Sequence, residues 1–311
     1  MDKSETTERE LGSLGQGEKK REGWQDLPEE ELLSRRMGEI DFKIMVLSGK
    51  GGVGKSTVAA RMAVALALSG ERVGLLDADI HGPSIPKLFG VEGCPLMVAT
   101  TGIQPLQITP KLKLMSIGFL LDGRDSAIIW RGPLKHNALK QFLAEVEWGR
   151  LDYLVIDCPP GTGDEPLTVA KLMNGRYGAV IVTTPQDLAL ADVRRSVSFC
   201  RQLSLPVLGV VENMSGFVCP RCGEITNIFK VGGGEAMAKE MGIPFLARVP
   251  IDPKLVEASD SGKPFPHSDC LDQTDKAFAS IVLSLLKAKA QDTASPVGEG
   301  GIVDTEGGKR G

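Results

Sequence analysis

Short apolar runs rich in β-branched residues alternate along the chain with longer segments in which apolar positions recur every three or four residues. The first pattern predicts buried strands and the second predicts amphipathic helices. The predicted strands are residues 42–47, 73–77, 112–117, 151–157, 178–183, 206–212 and 245–249. The predicted helices are residues 55–69, 134–147, 165–173, 188–202, 234–241 and 272–289. This alternation predicts an α/β fold: a doubly wound, mostly parallel sheet with helices on both faces.

The two ends of the chain lack this alternation. Residues 1–40 are densely charged and have few apolar positions, so they predict a disordered N-terminal tail. Within them, residues 27–37 carry only a thin apolar stripe, and a short helix there is expected to be loosely attached. Residues 290–311 are rich in glycine and predict a second disordered tail. The sequence therefore predicts one domain over residues 41–289.

Composition narrows the class of protein. The chain has 311 residues, 42% of them hydrophobic and 24% charged, as in ordinary globular proteins. Its longest apolar run, residues 62–68, is far too short to span a membrane, and the N-terminus has no apolar core typical of a secretory signal. A formal net charge of −4 argues against a protein that coats nucleic acid. We therefore expect a cytoplasmic protein with neither a membrane nor a specific nucleic acid as partner.

The segment SGKGGVGKST follows the first predicted strand and precedes the first long helix. Its glycines allow backbone N–H groups to turn inward around phosphate oxygens, and the helix presents its positive end to the same anion. A ligand-free glycine-rich turn is disfavoured, because strand, loop and helix occur in the order that a phosphate-binding loop requires. Lys55 is expected to reach the β- and γ-phosphates of ATP, and the Ser56 hydroxyl to bind Mg²⁺. The predicted nucleotide-binding residues here are Gly49, Lys50, Gly51, Gly52, Val53, Gly54, Lys55, Ser56 and Thr57.

Carboxylates at the ends of two other predicted strands complete a candidate site for phosphoryl transfer. Asp157 ends a buried apolar run and is expected to hold Mg²⁺ through water. Asp77 is expected near the same metal, and Asp79 is expected to orient the attacking water. Each of them alone could be a helix cap or a turn residue, but three in series with the phosphate loop favour a catalytic site. His81, beside Asp79, either hydrogen-bonds behind the site or is an ordinary loop residue.

Polar loops after the other strands face the same edge of the predicted sheet. Residues 158–165 form a Pro- and Gly-rich loop that could sense the γ-phosphate by a change of order, although a simple strand stop explains the prolines equally well. Residues 183–187 and 212–215 also fit contact with a nucleotide. The amide of Asn213, which both donates and accepts, could bind the edge of adenine.

The cysteine pair in CPRCG is the remaining candidate for chemistry. A C-x₂-C turn brings two thiolates together, and such pairs bind zinc or an iron–sulfur cluster or act as a redox dithiol. Because no second C-x₂-C exists in the chain, the economical completion is a two-fold dimer in which each protomer contributes Cys219 and Cys222. A structural zinc or an inert pair remains the alternative. The other cysteines are scattered and fit buried thiols: Cys94, Cys158, Cys200 and Cys270.

The string GKGGVGKS resembles the deviant phosphate loop of the MinD, ParA and nitrogenase iron protein group. That resemblance implies that Lys50 reaches across a dimer interface to the partner's nucleotide. The chain further resembles the Mrp/ApbC family of iron–sulfur cluster carrier ATPases over residues 41–289. The motifs that carry this resemblance occur in the family's order: GKGGVGKST, LLDADIHGPSIPKLFG, WRGP, LDYLVIDCPPGTGDEPLT, VTTPQ, GVVENMSGFVCPRCG and VPIDP.

The family resemblance implies an ATP-hydrolysing homodimer that holds a labile [4Fe–4S] cluster between paired Cys219 and Cys222 and passes it to apo-proteins. Some relatives have an extra domain before the phosphate loop and others an N-terminal cysteine cluster, whereas residues 1–40 contain neither, so the chain resembles the short form. One alternative is a MinD- or ParA-like positioning ATPase with structural zinc at the cysteine pair, although such a protein should end in an amphipathic helix. Another is a small-molecule kinase or synthetase with a structural zinc, which should have a separate substrate-recognition domain.

Overall fold

The computed structural model describes residues 27–99, 101–120, 132–219, 221–263 and 272–292. Most of the two predicted tails, together with Trp130, Arg131 and Cys270, lies outside these residues. No helix in the described ranges is long and apolar enough to cross a membrane.

The described strands are β1 (Ile40–Leu47), β2 (Val73–Asp77), β3 (Met97–Ala99), β4 (Gly102–Gln104), β5 (Leu106–Thr109), β6 (Leu112–Ser116), β7 (Leu151–Asp157), β8 (Tyr177–Thr183), β9 (Val207–Glu212), β10 (Phe217–Val218), β11 (Ile225–Thr226) and β12 (Phe245–Arg248). The described α-helices are α1 (Glu29–Gly38), α2 (Lys55–Leu68), α3 (Ile85–Leu88), α4 (Gly132–Glu145), α5 (Asp164–Leu172), α6 (Asp187–Gln202), α7 (Gly233–Met241), α8 (Pro253–Asp260) and α9 (Gln273–Asp292). All the predicted strands and helices are present, and their bounds differ from the predicted ones by a few residues at most.

Eight strands form one sheet in the order β12-β9-β8-β1-β7-β2-β6-β5. All neighbours in it are parallel except β5, which runs antiparallel to β6 at the edge. Two further pairs, β3 with β4 and β10 with β11, are short hairpins outside this sheet. The strands of these hairpins, β5 and α3 were not predicted, because elements of two to four residues show no periodicity. Helix α8, of eight residues, was not predicted either.

Helices cover both faces of the sheet, as predicted. Along β1, Met45 and Leu47 contribute to one core cluster, while Ile44 and Val46 contribute to the other. The first cluster is completed by α1, α4, α5, α6 and α7, and the second by α2 and α9. Since adjacent side chains of a strand point to opposite faces, each central strand is buried on both sides. The predicted doubly wound α/β fold is therefore confirmed.

The first helix corrects the expectation of a tail over residues 1–40. Helix α1 is attached to the domain, with Leu33 and Met37 buried in a core cluster. The Arg36 guanidinium, only 2% exposed, donates a hydrogen bond of 2.7 Å to the carbonyl of Thr101. The thin apolar stripe and a buried hydrogen bond on the same face of the helix together dock α1 on the domain.

Replacement of Met37 by alanine tests this docking. Met37 is fully buried, so Met37→Ala leaves a cavity and should lower the free energy of unfolding by about 2–5 kcal/mol. Glu31→Ala, an exposed position on the same helix, is the matched control and should change it by less than about 0.5 kcal/mol. Urea unfolding followed by circular dichroism measures both. Equal stability of the two variants would mean that α1 is not packed on the domain in solution.

Candidate functional site

Three adjacent strands bring the predicted nucleotide site together. Strand β1 leads directly into the phosphate loop, and β7 lies beside it, with Val46 paired to Asp157. Strand β2 follows on the other side of β7, with Asp77 paired to Asp157. Because all three strands are parallel, their carboxyl ends meet at one edge of the sheet, where open α/β folds bind ligands. The two aspartates and the phosphate loop are therefore neighbours, as the sequence predicted.

Two glycines of the loop are required by close approach of other chain segments. Gly54, immediately before α2, has a φ of +76°, and a Cβ atom there would lie 2.3 Å from Nδ2 of Asn213. A Cβ atom on Gly49 would lie 2.3 Å from the Cβ of Asp192 in α6. The loop is thus held between α6 and the residue that follows β9. Helix α2 begins at Lys55, so its N-terminal N–H groups face the loop, where an anion would be favoured.

A buried ion pair occupies the centre of the site. The Lys55 ammonium lies 2.5 Å from Oδ1 of Asp157 and 3.5 Å from the Ser56 hydroxyl. Burial raises the pKa of Asp157, and the charge of Lys55 opposes that rise. The second oxygen of Asp157, Oδ2, is buried and has no hydrogen-bond partner among the described residues. An unpartnered buried carboxylate oxygen near a serine hydroxyl fits a hard cation such as Mg²⁺, which prefers oxygen ligands.

Asp77 has a different environment from the one expected of a metal ligand. Its Oδ1 accepts a hydrogen bond from the N–H of Asp79, and its Oδ2 accepts from the Ser116 hydroxyl and the N–H of Ile85, at 3.0–3.2 Å. Burial and the charge of Asp157 raise the pKa of Asp77 to about 7. Both oxygens of the Asp77 carboxyl group therefore accept hydrogen bonds that shape the loop after β2. This geometry favours Asp157 over Asp77 as a ligand of Mg²⁺.

Two loops that flank the site are connected to it by hydrogen bonds. Asp79 accepts from the N–H groups of His81 and Gly82, each at 3.2 Å, and lies within electrostatic reach of Asp157. His81 Nε2 lies 3.4 Å from Oε1 of Glu165, at the start of α5. The Pro- and Gly-rich loop after β7 is tied to the phosphate loop where the Gly161 N–H donates to the Ser48 carbonyl at 2.8 Å.

Glu212, the last residue of β9, and Asn213, which follows it, make different contacts. Asn213 is buried and donates a 2.9 Å hydrogen bond from Nδ2 to the carbonyl of Val53, so its amide holds the phosphate loop in this conformation. Glu212 is also buried, but its carboxylate accepts from Ser215, Gly232 and Gly234. Of the four residues predicted to contact nucleotide here, Asn213 touches the loop and Glu212 faces away from it.

The cysteine pair lies at the turn of the β10–β11 hairpin. The N–H of Cys219 donates to the Glu224 carbonyl and the N–H of Gly223 donates to the Cys219 carbonyl, both at 2.9 Å. Cys222 is exposed and Cys219 partly so. Backbone N–H groups of Arg221 and Cys222 lower the pKa of the Cys219 thiol, so the turn itself favours a thiolate.

The other described cysteines do not join this pair. Cys158 and Cys200 are buried, and burial raises the pKa of both thiols, that of Cys200 to about 12. Across the described ranges, no three or more His, Cys, Asp or Glu side chains gather into a metal site. Among the described residues, the hairpin of one protomer thus offers the exposed thiol of Cys222 and the partly exposed thiol of Cys219.

Two residues that shape the site were not identified from the sequence, and the contacts of a third were not predicted. Glu212 was among the residues predicted to contact nucleotide, but its hydrogen bonds to Gly232 and Gly234 were not predicted. Ser116 and Asp192 lie on segments distant in sequence from the loops that they contact, and no local signal marks them.

Comparison with known proteins identifies the family. The model of the NUBPL iron-transfer P-loop NTPases matches residues 39–286. The iron-sulfur cluster carrier protein of Methanocaldococcus jannaschii is 49% identical and aligns with 82% of this chain and 87% of its own length. The cytosolic Fe-S cluster assembly factor NUBP2 homolog of Nematostella vectensis is 50% identical, over 84% of this chain and 98% of its own.

Solved structures show the same relationship. A nucleotide-binding protein from Archaeoglobus fulgidus, in complex with ADP and with cobalt detected, is 45% identical, with a TM-score of 0.67 over 76% of this chain and 92% of that one. The cell division ATPase MinD of Pyrococcus furiosus, 23% identical with a TM-score of 0.59 over 80% and 99% of the two chains, shares the fold. The resemblance drawn from the sequence motifs is confirmed, and the chain belongs to the family of iron-transfer P-loop NTPases.

Proposed function

We propose that this protein is an ATP-dependent iron–sulfur cluster carrier that binds a labile [4Fe–4S] cluster between two protomers and transfers it to apo-proteins. The observation that carries the proposal is the pair Cys219 and Cys222, the first partly exposed and the second exposed, on a hairpin of an iron-transfer P-loop NTPase. The names of the relatives from M. jannaschii and N. vectensis support the same function. The latter name also supports a cytoplasmic location.

The nucleotide half of the function follows from the buried ion pair. Phosphate oxygens of ATP compete with Asp157 for the Lys55 ammonium, and the carboxylate thus released has both oxygens available for Mg²⁺ or its water ligands. Bound Mg²⁺ supplies positive charge against the phosphates. Asp79 orients the attacking water, and Lys50 of one protomer acts on the nucleotide of the other, as the resemblance implies. Gly49 to Thr57 hold the phosphates.

The cluster half of the function requires a homodimer. A [4Fe–4S] cluster takes four thiolates, and a two-fold dimer supplies them as two from each copy. Three apolar side chains on the hairpin and the segment after it are exposed: Ile225 by 51%, Ile228 by 55% and Val231 by 40%. A second copy placed across the cysteine pair would cover such a surface. Closure of the dimer on ATP and its relaxation on hydrolysis would then change the separation or exposure of the thiols.

Replacement of the two lysines of the phosphate loop should affect ATP binding and ATP turnover differently. Lys55→Ala removes the group that meets the phosphates, so we expect weaker ATP binding and turnover reduced at least about 100-fold. Lys50→Ala should leave ATP binding largely intact while lowering turnover to a similar degree, since this lysine acts across the dimer. Calorimetric titration with ATP and steady-state phosphate release measure the two effects. Full turnover in Lys55→Ala would reject the assignment of the phosphate loop.

Anaerobic reconstitution with iron and sulfide tests the carrier. We expect about four irons and four sulfides per dimer, and loss of this chromophore in the double variant Cys219→Ser, Cys222→Ser. The matched control is Cys94→Ser, a partly exposed thiol outside the hairpin, which should retain the cluster. Nucleotide binding should be unchanged in both.

Two results would contradict the proposed cluster site. Retention of the cluster by the double-cysteine variant would place its ligands elsewhere. Tightly bound zinc with no sulfide-dependent chromophore would instead favour a regulatory ATPase with a structural zinc turn.

A further inference from the structure

The carboxylate of Glu212 accepts hydrogen bonds from both ends of the segment that carries the cysteine pair. Glu212 is fully buried at the end of β9. Its Oε1 accepts from the Ser215 hydroxyl at 2.5 Å and from the Gly232 N–H at 2.9 Å, and its Oε2 accepts from the Gly234 N–H at 2.5 Å. Ser215 immediately precedes residues 216–231, and Gly232 immediately follows them. One side chain thus holds the chain where it enters and where it leaves the cysteine segment, residues 216–231.

The entry to the cysteine segment has further fixed contacts with the sheet edge. The Ser215 N–H donates to the Val249 carbonyl at 2.9 Å, and the Ile251 N–H donates to the Gly216 carbonyl at 2.7 Å. The exit leads into α7, where the N–H of Gly234 donates to Oε2 of Glu212. A movement of the Glu212 carboxylate would therefore change the position of the exit relative to the entry.

The next residue connects the same turn to the nucleotide. Asn213 donates to the Val53 carbonyl in the phosphate loop, and its Nδ2 leaves no room for a side chain at Gly54. Met214, which follows, has a φ of +56°, a left-handed conformation that is uncommon outside glycine. Residues 212–215 thus form a tight, strained turn with the phosphate loop on one side and the cysteine segment on the other. Strained backbone of this kind is often found at sites that switch.

We infer that the turn 212–215 couples the nucleotide site to the cysteine pair, with Asn213 following the phosphate loop and Glu212 positioning the cysteine segment. The inference rests on the proposed function and deepens it, since it names residues through which bound nucleotide changes the exposure of Cys219 and Cys222. Displacement of the Val53 carbonyl by phosphate binding shifts Asn213. Because Glu212 is the adjacent residue, the shift alters its hydrogen bonds to Ser215, Gly232 and Gly234.

Glu212 acts here as a positioning residue, so its effect should be visible in the coupling and not in nucleotide binding itself. Coupling between two sites is reciprocal, and typical values correspond to factors of about 5 to 150 in affinity. Cysteine accessibility measures one side of this coupling without a cluster. The readout is the rate at which iodoacetamide alkylates Cys219 and Cys222 in the apo-protein, followed by peptide mass spectrometry, with and without Mg²⁺ and the ATP analogue AMP-PNP.

In the native sequence we expect AMP-PNP to change the alkylation rate of the pair at least about fivefold. Glu212→Gln replaces one carboxylate oxygen by an NH₂ donor, which would face the backbone N–H of either Gly232 or Gly234. It should therefore reduce that change to less than about twofold, with AMP-PNP affinity kept within about threefold. The matched control is Glu235→Gln, an exposed glutamate whose carboxylate also pairs with a side chain that approaches Glu212, that of Arg248. Glu235→Gln should retain the full nucleotide effect.

A second variant guards against a simple loss of folding. Ser215→Ala removes one of the three donors to Glu212 and leaves the others, so a folded protein with a reduced nucleotide effect is expected. Thermal unfolding of each variant shows whether the domain is intact. A purely structural role for Glu212 would lower the unfolding temperature while leaving the ratio of alkylation rates with and without AMP-PNP unchanged.

Two outcomes overturn the inference. One is a nucleotide effect that persists in full in both Glu212→Gln and Ser215→Ala. The other is an alkylation rate that does not respond to AMP-PNP in the native protein, although the protein binds AMP-PNP and a cluster at Cys219 and Cys222. Failure of that reconstitution in the native protein would instead reject the proposed function, so the two failures are distinguishable.

Discussion

The contact between the Lys55 ammonium and the Asp157 carboxylate is the interaction on which the arrangement of the site depends. Two charges in a buried site are tolerated only when they are paired closely, because each loses its hydration. The pairing requires β1 to deliver the phosphate loop, and β7 to end at its side, in one register. In the proposed function, the phosphates of ATP would replace Asp157 as partner of the lysine.

Acidic residues end several strands of this sheet, and the donors around each one decide what it does. Asp157 faces a lysine and retains an unpartnered oxygen, which suits a metal. Asp77 is surrounded by a hydroxyl and two backbone N–H groups, so its role is to shape a loop. Glu212 faces one hydroxyl and the N–H groups of a returning segment, and it joins the two ends of the cysteine segment. Chemically similar side chains at equivalent strand ends therefore have different hydrogen-bond partners, which suit them to different roles.

In the hairpin that carries the cysteine pair, backbone N–H groups lower the pKa of the Cys219 thiol. The hairpin is exposed, so side-chain charges near it are weakened by solvent, whereas the N–H groups of Arg221 and Cys222 lie close to the Cys219 sulfur. Thiolate formation is favoured by the turn itself. The root of the hairpin, in contrast, is buried and hydrogen-bonded to the nucleotide-binding edge of the sheet.

The sequence by itself determined the central strands, the long helices, the phosphate loop and the cysteine pair, because each depends on a local pattern of apolar spacing or on residues close together in the chain. The attachment of α1 to the domain was not predicted, because it depends on burial of Arg36 against Thr101, 65 residues away. The distinct roles of Asp77, Asp157 and Glu212 were decided only by the tertiary structure. A carboxylate's function follows from the donors that surround it, and here those donors come from segments far apart in sequence that the parallel sheet brings to one edge.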